Sequence, residues 1–279
     1  MSPRFSFEFF PPKSVNAAFR LAATVDTLKG FGPDFMSVTC GTGGGSKELT
    51  DQTLQAIGQQ SDCSVVPHMT CAGHAPLALK AQAKSYGKLG VSTALALRGD
   101  AAPGAKSASS VPDLVRVLAD RGIAPIVAAY PETHPLAESA TVDLDALKAK
   151  QDAGAIAAIT QFFFDPSIFL RFRDRCTAHG ITLELIPGIL PVTDWASAER
   201  MAKMCGTAIA PDLAEGFARA GRENRAALMA TAQASELCDG LHREGVDHFH
   251  IYTLNKSTVP AAICAAMGAT YDTPLRKVA

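Results

Sequence analysis

Polar residues collect at the ends of short apolar runs in this sequence. Thr39 ends one run, His68 falls in another, and Arg98-Gly99-Asp100 closes a third. Tyr130 ends a further run, with Glu132 and His134 just beyond it. Gln161 lies within the next, Pro187-Gly188 closes another, and Tyr252 with Asn255 and Lys256 marks the last. Glu8 sits inside the first run, among Phe5, Phe7, Phe9 and Phe10. Any one of these reads equally well as structural: Arg98 with Asp100 as a plain ion pair, His134 as a loop residue. Together they admit some chemistries and exclude others. His68, Glu132 and His134 lack paired-histidine or H-E-x-x-H spacing, so no metal centre is expected. A serine nucleophile lacks its G-x-S-x-G elbow, and Cys71 has no evident activating partner. The runs hold no lysine for a Schiff base. Cofactor-borne chemistry remains, with the protein supplying binding, orientation and one acid.

The elements that must position these residues alternate along the chain. Eight β-rich runs recur, at 4–10, 35–39, 64–70, 93–98, 125–130, 157–164, 182–189 and 248–254. Most are continuously apolar, as strands buried on both faces are. Helical spacing fills 17–29, 50–60, 76–89, 112–121, 142–153 and 166–179, with Asp165-Pro166 and Val111-Pro112 as helix entries. A longer stretch, 194–245, holds two or three helices, and 257–267 one more. Eight β-then-α units predict a (β/α)8 TIM barrel over 1–279 as a single domain, with an extra helical segment between strands 7 and 8. The rival, a doubly wound open sheet, lacks support because Gly41–Gly45 has neither the dinucleotide nor the P-loop spacing. A barrel works at the C-terminal ends of its strands, where the polar set gathers.

Composition narrows the partners. Hydrophobic residues make up 47% and charged ones 19% of 279, which predicts a packed core. With 26 basic against 27 acidic residues, no broad nucleic-acid footprint or basic membrane surface is expected. Seven scattered cysteines without a C-x-x-C pair read as reduced thiols. The N-terminal segment lacks the build of a signal peptide, and no run reaches the ~18 apolar residues of a membrane span. A cytoplasmic location is expected.

The motifs themselves resemble a known family. Ser6-Phe7-Glu8-Phe9-Phe10-Pro11-Pro12-Lys13 is similar to the opening motif of the bacterial single-domain methylenetetrahydrofolate reductases. Pro67-His68-Met69-Thr70-Cys71, Leu95-Ala96-Leu97-Arg98-Gly99-Asp100 and Ala128-Ala129-Tyr130-Pro131-Glu132 match in order, with His134-Pro135 close behind. Ile159-Thr160-Gln161-Phe162-Phe163-Phe164-Asp165, Ile186-Pro187-Gly188-Ile189-Leu190-Pro191-Val192 and Phe249-His250-Ile251-Tyr252-Thr253-Leu254-Asn255 complete the set, which spans residue 6 to about 256.

The resemblance implies an FAD enzyme of one-carbon metabolism. NADH or NADPH would reduce the flavin, which would then reduce 5,10-methylenetetrahydrofolate to 5-methyltetrahydrofolate in a ping-pong scheme. Glu8 matches the family's general acid, and its apolar neighbours should raise its pKa. Asp100 matches a catalytic residue that contacts pterin and lies by the flavin, Gln161 a pterin-binding glutamine, and Lys256 a basic residue near the substrate. FAD-binding positions fall on Thr39, Cys40, Thr42, His68, Arg98, Gly99, Asp100, Tyr130, His134, Ala137, Asp143, Ala146 and Lys150. Cys40 stands where the family commonly has tyrosine, Ala149 where it has a basic residue, and Ser197 and Met201 where glutamine and phenylalanine are usual. A homo-oligomer is the expected assembly. Two other classes fit a barrel with these residues: a flavin-free pterin methyltransferase and a non-catalytic folate-binding relative.

Overall fold

The computed structural model describes residues 2–40, 47–99 and 109–272. Its elements run β1 (Arg4–Phe9), α1 (Val15–Lys29), β2 (Phe35–Val38), α2 (Lys47–Gln60), β3 (Ser64–Thr70), α3 (Pro76–Lys88), β4 (Thr93–Leu97) and α4 (Val111–Ala119). There follow β5 (Ala124–Ala129), α5 (Ala140–Asp152), β6 (Ala157–Thr160), α6 (Pro166–Ala178), β7 (Glu184–Ile186) and β8 (Gly188–Ile189). The chain continues through α7 (Trp195–Cys205), α8 (Pro211–Arg222), α9 (Ala226–Arg243), β9 (His248–Tyr252) and α10 (Thr258–Ala266). The segment after the seventh run thus holds three helices.

Local chemistry explains the helix starts. Ser14, Ser139, Asp165 and Asp194 accept a backbone N–H of the first turn, and Ser110 with Asp113 forms a reciprocal capping box. Pro166 occupies the first turn of α6, as its missing N–H permits.

Every strand pair is parallel, in the order β7-β6-β5-β4-β3-β2-β1-β9-β8. The two ends of that order, β7 and β8, are separated in the chain by Pro187 alone. The sheet therefore curls round until its ends meet, which gives the expected (β/α)8 barrel. The seventh run is not one strand closed by Pro187-Gly188, as its sequence suggests, but two. Proline has no N–H to donate, so pairing changes partner there: Ile186 aligns with Ile159 of β6, whereas Gly188 aligns with His250 of β9. The Pro187 carbonyl still accepts the His250 N–H at 2.9 Å. Gly188 allows the seam to close, because a Cβ there would meet the Tyr252 hydroxyl at 2.6 Å and collide with the Thr160 carbonyl.

Apolar packing falls into three zones. Phe5, Phe7 and Phe9 join Leu28, Met36, Val127, Leu237 and others between sheet and helices. Phe35, Val66, Leu95, Ile126, Ile159 and Ile186 fill the barrel interior. Phe162, Phe164, Leu190, Val192 and Phe217 pack beside Trp195 and Met201. The sixth run accordingly leaves the sheet after Thr160: Phe162 and Phe164 turn to this third cluster while Phe163 packs into the helix-facing core, and Gln161 stands one residue past the strand instead of within it.

Candidate active site

Side chains alternate across a strand, so Arg4, Ser6 and Glu8 of β1 share the face opposite Phe5, Phe7 and Phe9. Glu8 aligns with Ser37 of β2 and Tyr252 of β9. Its Oε2 lies 3.4 Å from His68 Nε2 and 3.9 Å from His250 Nε2, and its side chain keeps only 12% of its exposure. Burial pushes the Glu8 carboxyl up from its ordinary value, against the pull of His68, and pushes His68 down. Both groups are thus driven towards neutrality. The sequence-based cause needs correcting, however. Phe5, Phe7 and Phe9 point away from Glu8 into the helix-facing core. Of the neighbouring phenylalanines only Phe10, just past β1, lines the Glu8 pocket, and the remaining walls that desolvate it come from other strands.

Those walls enclose a pocket of ≈ 280 Å³ lined by Glu8, Phe10, His68, Leu95, Leu97, Tyr130, Gln161, Phe162, Met201, Cys205, Tyr252 and their neighbours. Glu8, His68, Tyr130 and Gln161 are therefore brought together from four separate motifs. Gln161 uses its own Oε1 to accept the Phe162 N–H at 3.0 Å and donates from Nε2 to Cys205 Sγ at 3.2 Å. Tyr252 donates to the Thr160 carbonyl at 2.7 Å, and burial holds its hydroxyl well above its usual range. Among the described residues, His68 Nε2 is buried without a hydrogen-bond partner. A buried polar atom aimed at a pocket is an invitation to a ligand.

One flank of the rim is formed by the segment after β5 and by α5. The Tyr130 and His134 rings meet edge to face at 4.3 Å, and the His134 N–H donates to Asp143 Oδ2 at 2.9 Å. Ala137 donates its N–H to the His134 carbonyl, and Ala146 is exposed on α5. Lys150 is turned inward: its Nζ donates to the Ala128 carbonyl at 2.9 Å, and burial lowers its pKa. Arg98 is exposed, directly after β4. Gly99 has φ +80°, and a Cβ on it would meet Thr70 Cβ at 2.7 Å, so glycine is required at this turn.

Thr39 is buried, its N–H donating to the Phe9 carbonyl at 3.0 Å, and burial raises the Cys40 thiol. Thr42 and Asp100 lie outside the described residues. Lys256 does not line the Glu8 pocket. It borders a neighbouring one of ≈ 440 Å³ with Arg20, Thr193 and Asn255, and its Nζ donates to Thr193 Oγ1 at 3.3 Å.

Sequence reasoning passed over Cys205, Ser6, His248 and His250. Cys205 arrives from a distant helix and leaves no local signal. The other three were visible in principle, because polar residues at alternate positions of β1 and β9 (Arg4, Ser6, Glu8; His248, His250, Tyr252) must share a barrel face.

Comparison with known proteins agrees with these motifs. A family model described as methylenetetrahydrofolate reductase matches residues 1–268. The chain is 41% identical over 270 residues to the 5,10-methylenetetrahydrofolate reductase of Escherichia coli (strain K12), covering 94% of this chain and 90% of that one. It is 32% identical to methylenetetrahydrofolate reductase (NADH) 1 of Arabidopsis thaliana, covering 95% of this chain but 48% of the plant protein. Among solved structures, a Clostridium thermocellum protein that binds two copies of 5-methyl-5,6,7,8-tetrahydrofolic acid superposes with a TM-score of 0.63 at 12% identity, covering 95% and 94% of the two chains. A dihydropteroate synthase from Stenotrophomonas maltophilia gives 0.54 at 10%, covering 98% and 94%. These last two likenesses concern the fold alone.

Proposed function

Because the chain belongs to the methylenetetrahydrofolate reductase family, we propose that it reduces 5,10-methylenetetrahydrofolate to 5-methyltetrahydrofolate with FAD as cofactor and NADH or NADPH as electron donor, and that Glu8 is the acid. The observation that carries this reading is the Glu8 carboxyl, buried between His68 and His250 in a pocket it shares with Gln161 and Tyr130. The NADH in the plant relative's name favours that donor over NADPH.

The residues present fit a flavin. His68 Nε2 is a buried polar atom without a partner, the pocket walls are largely apolar, and Gly99 brings backbone close to Thr70 without a side chain. Thr39, Cys40, His68, Arg98, Gly99, Tyr130, His134, Ala137, Asp143, Ala146 and Lys150 are the described positions that would hold or flank it; Thr42 and Asp100, assigned to it by the resemblance, lie outside the described residues. Bound there, FAD supplies hydride transfer between nicotinamide and folate. The pocket at Glu8 supports a reading in which the nicotinamide and the folate take turns, a ping-pong order.

The protein's own part is acid chemistry and positioning. Opening the methylene bridge breaks a C–N bond, and the departing nitrogen needs a proton. A carboxyl whose pKa burial raises is suited to supply it. Gln161 holds the pterin edge through its amide, exchanging the Cys205 contact for the substrate. Asp100, matched by its motif and outside the described residues, is assigned a substrate contact by the family resemblance alone, and Lys256, at the adjoining pocket, meets the more distant acidic part of the folate.

The test is direct. Protein supplied with FAD is mixed anaerobically with NADH or NADPH, and the flavin absorbance should bleach. Adding 5,10-methylenetetrahydrofolate should then restore the colour and yield 5-methyltetrahydrofolate. A flavin that neither nicotinamide bleaches sinks this reading.

A further inference from the structure

Below Glu8 the barrel interior carries a continuous line of polar groups. His250 Nδ1 lies 2.8 Å from Ser6 Oγ, and Ser6 Oγ lies 3.1 Å from His248 Nε2. His248 Nδ1 faces Glu184 Oε1 at 3.4 Å and Asp34 Oδ2 at 3.8 Å. Arg4 closes the far end, its guanidinium donating to Asp34 at 2.8 Å, Glu184 at 2.7 Å and Asp247 at 3.3 Å. Phe35 of β2 stacks on the His250 ring at 5.5 Å and meets the His248 ring edge-on at 5.8 Å, so both rings are held in place. Ser6 and His250 are fully buried.

Such a line has a direction. The Glu184 carboxyl is held down to about 2, first by its hydrogen bond with His248 and then by Arg4, so it offers only lone pairs. His248 must therefore point a proton at it from Nδ1. With one ring proton on each histidine, His248 Nε2 is then bare and accepts the Ser6 hydroxyl proton. Ser6 Oγ, having spent its proton, accepts from His250 Nδ1–H. His250 Nε2 is left bare, and it is the atom that faces Glu8, buried and without a hydrogen-bond partner among the described residues. At 3.9 Å it is too far to hydrogen-bond Glu8 as the structure stands, but the lone pair of a bare nitrogen there disfavours a carboxylate and tolerates the acid.

We infer that the Arg4–Glu184 cluster at the bottom of the barrel fixes, through His248 and Ser6, the tautomer of His250, so that its bare Nε2 keeps Glu8 in the acid form. Ser6, His248 and His250 are then positioning residues for the proton donor. Burial, which pushes His250 down to about 3, keeps that ring from taking a second proton. The other groups facing Glu8 are His68 from β3, Tyr252 from β9 and the buried Ser37 hydroxyl from β2. A second proton on His248 would reverse every bond in the line and turn His250 Nε2–H towards Glu8, favouring the carboxylate instead.

The tautomer is independent of any activity, whereas its use in catalysis rests on the reading of Glu8 above. Long-range 1H–15N correlation spectra of the full chain with ring-15N histidine, assigned with H250Q, should show His250 protonated at Nδ1 and His248 singly protonated, also at Nδ1. Ser6→Ala should release His250 from that tautomer, and Ser6→Thr should restore it. In the folate half-reaction, Ser6→Ala should move the alkaline loss of rate down by about 1 pH unit, with reduction by the nicotinamide unchanged. Finding His250 protonated at Nε2 in the parent protein, or a doubly protonated His248, overturns the inference even if no variant folds. So does a tautomer that ignores Ser6→Ala. The predicted tautomer in a protein that reduces no folate would leave the line standing and remove the proposed function.

Discussion

Two carboxyl groups lie towards opposite ends of one barrel interior, and the protein treats them in opposite ways. Glu184 is about half exposed and bonded to Arg4 and His248, and its carboxyl is held down to about 2. Glu8, four residues along β1 from Arg4, is almost enclosed, lacks an arginine or lysine partner among the described residues, and is pushed up by burial. The contrast shows that partners and solvent decide what a carboxyl does. Where a cation and water are at hand, it becomes a fixed anion that ties strands together. Where both are withheld, burial shifts it towards its protonated form.

The comparison breaks first at Glu8. Glu8→Gln keeps the shape and loses the acid, so the folate half-reaction should fall by about 10²–10⁴-fold, while nicotinamide-driven flavin reduction persists in stopped-flow traces. Equal loss in both half-reactions would make Glu8 structural. Next comes the pH profile. Because its pKa is raised, Glu8 is protonated at low pH, and the folate half-reaction should drop about tenfold per pH unit once pH exceeds that value. A flat profile through the alkaline range would show that another group supplies the proton.

Smaller effects sharpen the contrast. Tyr252→Phe removes the hydroxyl that caps the Thr160 carbonyl at the seam, and should cost about 1 kcal/mol in urea unfolding. The two carboxyls should also differ in the sign of their effect on stability. Glu8 folds with a raised pKa, so at neutral pH its burial opposes folding, and Glu8→Gln should raise Tm. Glu184 folds with a lowered one, so its bonds stabilise the protein above its ordinary 4.5 and are lost as pH falls towards about 2. Glu184→Gln should lower Tm at neutral pH by less than about 1 kcal/mol equivalent, since half-exposed pairs are screened, and should flatten the acid dependence. Melting curves of both variants between pH 3 and 8 would test the pair, and shifts of the same sign would undo the comparison.

Most of the architecture was legible because buried parallel strands read as unbroken apolar runs and helices announce their caps. Runs such as 64–70 and caps such as Asp165-Pro166 fall where the sequence puts them. Misreadings arose where one residue answers to two neighbours at once. Pro187 looks like the end of a strand but is a change of partner, and Phe162 and Phe164 look like strand but serve the cluster above the rim. Phe5, Phe7 and Phe9 are close to Glu8 in sequence but on the opposite face in space, whereas Phe10 lines its pocket. Of the site, Glu8, His68, Tyr130 and Gln161 were found through their motifs, whereas Cys205 belongs to no motif and joins only by packing.

The order of strand and helix, the family and the chemical types at the rim follow from the chain alone, since periodicity and motif are local properties. Which groups share a pocket, which carboxyl keeps its proton and which way a histidine points follow only from closure of the barrel. These depend on distances between residues as far apart as Ser6 and His250, and on the water excluded between them.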